Sequence, residues 1–328
     1  MIYREFETHA DLAPYVQLVW MMESEHEDDH APRSLIVPDG IVEIVFHYGD
    51  PWITTVAGGN RMVQPRSFAV SQMRKYIEIE SNGRTGFVSV RFYPWGAYHF
   101  FDRPVDSFLD DTVSTAMLWP EHYDDLMEKI RAVASGMGGA SSTGGASGTG
   151  GAGGTSGAGG TSGAGGTSGA GGTSGAGGTS GAGGTSGAGG TSGAGGTGLA
   201  SVVQGFLLDR LKEHFKDDVA LDESVKLIRS TGGQLSVEKV GEHVGLSRKQ
   251  LERKFVATVG TTPKTFARIS RFLNICHHLD RYRDSTLTRL AHECGYFDQA
   301  HFIREFSAFT GFTPKAFFDK NNVRFAEL

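Results

Sequence analysis

A stretch of about twenty residues near the C-terminus occurs twice, and this repeat limits the possible folds more than any other feature. The first copy starts with GLSRKQLERKF at residue 245 and the second with GYFDQAHFIREF at residue 295. Gly245 corresponds to Gly295, whereas Leu251 corresponds to Phe302, so the offset grows from 50 to 51 residues within the turn. A unit repeated at such spacing is one supersecondary structure used twice. The second copy has one extra turn residue.

Each copy has the pattern of two helices joined by a short turn. In the first copy, an apolar stripe at helical spacing precedes Gly245, and glycine commonly ends helices because it tolerates positive φ. Ser247 is a favourable N-cap for the next helix. The second copy has Gly295 as the stop and Asp298 as the cap. The pattern predicts a helix-turn-helix with these side chains facing inward: Leu251, Phe255, Phe302, Phe306 and Phe309.

A further helix is predicted between the copies, over residues 263–279. Proline is well tolerated at the first position of a helix, and Pro263 stands there. About 17 residues at ~1.5 Å each span roughly 25 Å, and successive major-groove faces of B-DNA lie about 34 Å apart. The offset axes of the two packed units can cover the remainder, so the two units are expected to reach adjacent groove segments.

Residues 220–318 resemble the DNA-binding domain of AraC/XylS-type transcription regulators. The resemblance includes both turn glycines, the two motifs quoted above and the closing Gly-Phe-Thr-Pro at residue 311. It departs from the family pattern at Gly241, where alanine is usual and glycine weakens a helix by up to about 1 kcal/mol. It also departs at Phe318, where the family often carries an arginine, so one phosphate contact is in doubt.

The resemblance implies base contacts from the N-terminal halves of the two second helices. Arginine and lysine pair with guanine, glutamate accepts from cytosine, and glutamine pairs with adenine. The predicted base-contact residues are Lys249, Glu252, Arg253, Gln299, His301 and Arg304, and the predicted phosphate-contact residues are Arg248, Lys264 and Lys315. Double-stranded DNA is the implied partner, with a small-molecule effector, a second copy of the chain and RNA polymerase as further candidates.

The charge distribution agrees with a nucleic-acid-binding C-terminus. The whole chain has a net charge of −6, but residues 1–137 carry −10 and residues 220–328 carry +5. A basic segment is the electrostatic signature of a phosphate-binding surface, although +5 alone would also fit an ordinary solvated surface. The acidic N-terminal part is not expected to bind nucleic acid.

A low-complexity insert of Gly, Ala, Ser and Thr occupies nearly all of residues 138–198. The hexamer GAGGTS repeats seven times from residue 151 to residue 192. Nothing in this composition offsets the entropy of ordering, so the insert is interpreted as a disordered tether. Amphipathic patterns flank it on both sides. We therefore expect the tether to interrupt a helical hairpin, with residues 199–219 forming a helix that completes the sensor region.

The N-terminal residues 1–137 are predicted to be mostly β, as a small barrel or cupin-like domain. Expected strands are residues 41–46, 52–57, 68–80 and 86–93, and a short helix is expected over 94–101. The Pro-Asp-Gly turn at residue 38 and the stretch VRFYPWGA at residue 90 resemble an uncharacterised sensor-type domain found before AraC-type domains. This resemblance implies an effector-binding or dimerisation domain and names no ligand.

Arg91 stands out because it interrupts an apolar strand, and a buried arginine needs a partner. The partner is either an internal carboxylate, such as Asp39 or Glu43, or an anionic effector. The residues proposed for an effector pocket are Arg91, Trp52, Phe92 and Trp95, and core packing is the alternative for the aromatic ones. The acid and histidine cluster within residues 23–30 fits a solvated hairpin better than a metal site.

No cofactor, metal or catalytic residue is predicted. Two cysteines, Cys276 and Cys294, exclude a disulfide framework and fall at inward helical positions. The charged N-terminus lacks the apolar core of a signal peptide, and no apolar run has the ~18–20 residues of a membrane span, so a cytoplasmic location is expected. The sequence thus predicts a DNA-binding transcription regulator responsive to an effector. The alternatives are a constitutive DNA-binding factor whose N-terminal domain only dimerises and, more distantly, an enzyme-fused regulator.

Overall fold

The structure is a computed structural model that describes residues 1–24, 31, 33–109, 111–138, 192–277 and 286–319. The acid and histidine cluster beyond Ser24, most of the Gly-rich insert and the last residues of the predicted 263–279 helix lie outside the described residues.

The N-terminal part is β-rich, as predicted, and its strands form two antiparallel sheets. The sheet orders are β1-β2-β9-β4-β7-β10 and β3-β8-β5-β6. The strands are β1 (Ile2–Phe6), β2 (Val16–Glu23), β3 (Ser34–Ile36), β4 (Val42–His47), β5 (Ile53–Val56), β6 (Arg61–Val63), β7 (Ser67–Val70), β8 (Ile77–Glu80), β9 (Gly86–Phe92) and β10 (Thr112–Ser114). β9 lies between β2 and β4, and all seven of its residues are buried.

Two local predictions for this domain are corrected. The strand predicted over residues 68–80 is two strands in different sheets, β7 and β8, because the intervening chain turns inward. There Gln72 is fully buried and its Nε2 donates to the Gly40 carbonyl at 2.7 Å. The predicted 94–101 helix is a single 3-10 turn, Ala97–His99, and a second such turn spans Val105–Phe108.

The helices on either side of the insert form the predicted hairpin. After the short α1 (Thr115–Leu118), α2 (Tyr123–Gly138) packs along α3 (Ser192–His214). α3 begins seven residues before the predicted position 199. A Cβ atom at Gly196 would lie 2.9 Å from Met21 Sδ, and one at Gly198 would lie 3.0 Å from Val133 Cγ1. Close packing against the β domain and α2 therefore favours glycine here, although glycine is a poor helix former.

Seven helices make up the C-terminal part of the described chain. They are α4 (Val219–Ser230), α5 (Val237–Val244), α6 (Arg248–Val259), α7 (Pro263–His277), α8 (Leu287–Glu293), α9 (Gln299–Thr310) and α10 (Pro314–Asp319). The five side chains predicted to face inward are each at most 2% exposed. One apolar core includes α4–α6 together with the β domain, and a second joins α7 to α8–α10.

Candidate nucleic-acid interface

The first helix-turn-helix unit consists of α5 and α6, and local side chains define both ends of its turn. Gly245 follows α5 with φ of +70°, in the left-handed region that favours glycine. Ser247 caps α6, and Gln250 Oε1 accepts a hydrogen bond from the Ser247 backbone N–H at 3.0 Å, which completes a capping box. The start of α6, which carries the predicted base contacts, is therefore fixed by neighbouring residues in the sequence: Gly245, Ser247 and Gln250.

The second unit consists of α8 and α9 and uses the same devices. Thr286 caps α8, and Asp298 Oδ1 accepts a hydrogen bond from the His301 backbone N–H at 2.6 Å at the start of α9. Phe302 and Phe306 are fully buried, and the Phe306 ring contacts Phe272 of α7 and Phe317 of α10. The repeated sequence thus forms two similar units, as predicted.

Two arginines of α7, the helix that links the two units, attach this helix to the second unit. Arg268 Nε pairs with Glu305 of α9, whose side chain is only 8% exposed, and the Arg268 guanidinium lies over the Phe309 ring at 5.5 Å. Arg271 lies over the Tyr296 ring at 5.3 Å. A planar guanidinium stacks well on aromatic faces. The two units therefore have a fixed relative position, which simultaneous contact with two groove segments requires.

The predicted base-contact residues fall into two groups. Lys249, Arg253 and Arg304 are exposed, and within the described residues their side chains make no hydrogen bond or ion pair. The other three make contacts within the protein. Glu252 accepts from Arg248 Nε at 2.9 Å, and Gln299 Oε1 accepts from Thr288 Oγ1 at 2.8 Å. His301 is half-buried, with Nε2 3.6 Å from a Glu305 carboxylate oxygen.

The predicted phosphate-contact residues lie at two places. Arg248 and Lys264 line one cavity of about 320 Å³ together with Arg271 and Glu238. In that cavity Arg248 Nη1 donates to Glu238 at 2.8 Å. Lys315 is exposed at the start of α10, in the second unit, and so occupies the position that Lys264 has at the start of α7.

Comparison with known families agrees with this arrangement. Residues 240–320 match a family described as a helix-turn-helix domain. The C-terminal part of this chain is an AraC-type helix-turn-helix domain. Residues 4–114 match a family described as a domain of unknown function, DUF6597.

Proteins that are similar to this chain include a transcription activator. The chain is 28% identical over 109 residues to the HTH-type transcriptional activator RhaS of Escherichia coli O139:H28, and to RhaS of Salmonella schwarzengrund. The match covers 33% of this chain and 33% of each relative, so this chain spans about a third of the length of the relatives it matches.

Solved structures that are similar to this chain include two bacterial regulators. One is a transcriptional regulator with an AraC-type DNA-binding domain from Chromobacterium violaceum, 26% identical, covering 30% of this chain and 87% of its own, with a TM-score of 0.28. The other is ToxT from Vibrio cholerae, 10% identical, covering 97% and 98%, with a TM-score of 0.38.

The AraC-type domain packs closely against the β domain at three glycines. A Cβ atom at Gly40, in the Pro-Asp-Gly turn, would lie 3.0 Å from Phe266 Cε2 of α7. One at Gly260, which ends α6, would lie 2.9 Å from Val105 Cγ1. One at Gly311, which ends α9, would lie 2.5 Å from Tyr76 Cε1. The β domain thus contacts the linking helix and the C-terminal ends of both second helices.

A buried charge cluster lies beside the first of these contacts. Arg91 Nη2 donates to Asp39 Oδ2 at 2.6 Å, and Arg91 Nε lies 4.0 Å from Glu43 Oε2. Burial raises the pKa of Asp39, and the positive charge of Arg91 opposes that shift. Burial lowers the pKa of Arg229 in α4, and the negative charge of Asp39 opposes that shift. The sequence left two kinds of partner open for Arg91. In the structure Arg91 pairs with an internal carboxylate, that of Asp39.

The four residues predicted for an effector pocket lie in separate surroundings. Trp52 is buried against Phe87, and its indole N–H donates to Thr85. Phe92 is fully buried against Phe100, so it packs in the core, which was the alternative for the aromatic residues. Trp95 stacks on Tyr93 at 4.7 Å, with the Lys226 ammonium 5.1 Å from its ring centre. These placements do not support a common pocket, and the effector site stays a prediction.

Several residues that matter for the interface were not found from the sequence. Arg268 and Arg271 lie three residues apart on α7, so they share one face of that helix, and their spacing was the available signal. Tyr76 and Val105 left no signal, because their contacts join residues more than 150 positions apart. Within the described residues, no helix is long and apolar enough to cross a membrane, and no cluster of three or more acidic, histidine or cysteine side chains is arranged to hold a metal.

Proposed function

We propose that this chain is a sequence-specific DNA-binding transcription regulator whose two helix-turn-helix units contact adjacent major-groove segments. The observation that carries the proposal is the attachment of both units to α7, through the buried core of the first unit and through Arg268 and Arg271 to the second. A fixed distance between two reading helices suits the regular groove spacing of B-DNA.

Base readout is assigned first to the three exposed cations, Lys249, Arg253 and Arg304. Each is available without breaking an internal contact, and arginine and lysine form the commonest specific contact, with guanine O6 and N7. Gln299 and Glu252 would read adenine and cytosine after exchanging their present partners. That exchange has a small cost, because exposed polar contacts contribute only about 0–1 kcal/mol.

Phosphate contact is assigned to Lys264, Lys315 and Arg248. The first two follow Thr-Pro pairs at the starts of α7 and α10, so they hold equivalent places in the two units. Arg248 is now paired with Glu238 and Glu252, and these three side chains are 43–60% exposed. A phosphate would compete with the carboxylates for the guanidinium, since charge-assisted pairs of arginine with phosphate are strong.

The replacement of one cation of each class tests this assignment. Arg304→Ala should relax preference at one base position of a selected DNA site and weaken its binding by about 1–3 kcal/mol. Lys315→Ala is the matched control in the same unit. It should weaken binding to all sequences about equally and lower the salt slope by about 1. Fluorescence anisotropy on a site chosen from random DNA measures both. Equal weakening of all sequences by Arg304→Ala would make Arg304 a phosphate contact instead.

The β domain is proposed to regulate this binding in response to a small molecule. In support, its contacts at Gly40, Gly260 and Gly311 join it to α7 and to the ends of both reading helices, so a change in the β domain would act on both units. A compound that raises the melting temperature of the full chain and changes its DNA affinity would support regulation. If no compound does so and the chain forms a dimer, the constitutive alternative is favoured. Binding to RNA polymerase stays a prediction.

A further inference from the structure

The extra residue in the second turn can be identified as Phe297. In the first unit, the Leu246 N–H donates to the Gly241 carbonyl at 2.9 Å, and in the second the Tyr296 N–H donates to the Ala291 carbonyl at 2.8 Å. Both are bonds from residue i to residue i−5 that close a helix end. Leu246 and Tyr296 are therefore equivalent, as are the caps Ser247 and Asp298, and Phe297 has no counterpart.

Phe297 takes no part in the packing of its turn. Its side chain is 84% exposed, the highest value among the large apolar residues that the structure describes. The neighbouring Tyr296 is only 3% exposed and makes the turn's contacts with Arg271 and Phe302. The aromatic ring of Phe297 is thus available to a partner without any change in the core.

Phe297 lies at the N-terminal end of α9, opposite the end that the β domain contacts. It directly precedes the cap Asp298, beside Gln299 and the exposed Ala300. Tyr76 of the β domain meets Gly311 at the opposite end. A helix of 12 residues is about 18 Å long. The N-terminal end is the part of a recognition helix that contacts base edges.

We infer that Phe297 contacts the 5-methyl group of a thymine in the DNA segment read by the second unit. The inference rests on the proposed function. The thymine methyl is the apolar group that the major groove exposes, and phenylalanine is among the side chains that contact it. The ligand class is therefore a T·A base pair next to the positions read by Gln299 and Arg304. The first unit, without an equivalent residue, would lack this preference.

Deoxyuridine tests the inference, because it differs from thymine only by that methyl. A site is first selected from random DNA with the full chain, and each thymine is then replaced singly by deoxyuridine. At one position in the second half-site, the replacement should weaken binding of the unchanged protein about fourfold, the effect of removing one methyl from an apolar contact. Phe297→Ala should bind the thymine and deoxyuridine sites equally well at that position and keep the methyl dependence elsewhere.

Met117→Ala is the matched control, since Met117 is 63% exposed on the β domain. It should leave every thymine dependence unchanged, and circular dichroism checks that both variants are folded. If the chain selects a site but Phe297→Ala retains all thymine dependences, the inference is wrong and the proposed function stands. The inference is also wrong if Phe297→Ala weakens binding to the thymine site and to the deoxyuridine site by the same factor, because the preference for the methyl group would then remain. If the chain selects no site, both fail.

Discussion

Replacement of Gly241 by alanine sets two opposing effects against each other. Gly241 is a buried residue of α5, and its carbonyl accepts the hydrogen bond from Leu246 that closes the helix. By helix propensity alone, alanine should stabilise α5 by about 0.8–1.0 kcal/mol. However, a Cβ atom at this position would lie 2.6 Å from the Leu246 carbonyl oxygen, closer than Cβ contacts are found in proteins.

The steric effect should exceed the propensity gain. The atom in conflict belongs to the backbone of the turn, so it cannot rotate away, and α6 would have to shift relative to α5. Overpacking of this kind costs about 1–3 kcal/mol. The expected net change is a loss of up to about 2 kcal/mol. Gly205→Ala in α3 is the matched control, because nothing lies within 4 Å of the added atom, and it should gain about 0.5–1 kcal/mol.

Hydrogen exchange followed by mass spectrometry separates the two helices in the full chain. Peptides from α5 and α6 should lose protection in Gly241→Ala, and peptides from α3 should gain protection in Gly205→Ala. The difference in free energy of opening between the two variants isolates the steric effect, about 1–3 kcal/mol. Equal stabilisation by both substitutions would refute the reasoning and show that the turn accepts the methyl group without cost.

Three further outcomes are expected. Burial lowers the pKa of His47 to about 4 from an ordinary 6.5, so the unfolded state binds the proton first and stability falls as pH drops from 7 to 4, by about 3 kcal/mol; tryptophan fluorescence during urea unfolding measures this, and His47→Gln should reduce the loss. Leu207→Asp places a carboxylate at a position 1% exposed and should lower the free energy of unfolding of the full chain by at least about 4 kcal/mol. A fragment that starts at residue 220 lacks this position and should keep its DNA affinity; loss of binding in the fragment would contradict the domain boundary. Glu305→Gln leaves Arg268 without its carboxylate and should lower hydrogen-exchange protection of α9 by about 1–3 kcal/mol, with unchanged protection disproving the coupling.

Local signals made the helix-turn-helix units predictable from the sequence. The stop at Gly245 and the caps Ser247 and Asp298 act within a few residues, so their effect does not depend on the rest of the fold. The inward positions followed from helical periodicity in the same way. These are the elements in which local preference and tertiary packing agree.

Features that depend on distant residues were not predictable. Residues 192–198 form the first turns of α3 despite four glycines, and at Gly196 and Gly198 the β domain and α2 approach too closely for a Cβ atom. The 68–80 segment looked like one strand, but the burial of Gln72 against Gly40 bends it. For Arg91, the sequence showed the need for a partner and named Asp39 among the candidates. It did not reveal the electrostatic interaction of Asp39 with Arg229 in α4.

The three glycines between the domains also have a meaning for comparison among relatives. Gly40, Gly260 and Gly311 have positive φ, and a Cβ atom at any of them would lie 2.5–3.0 Å from a side chain of the other domain, which would have to move. The close contact between the domains thus depends on the absence of side chains at these positions. A comparison of polarity or charge in an alignment would not reveal it. A homologue with side chains at all three positions would have to hold α6, α7 and α9 at a different distance from its β domain.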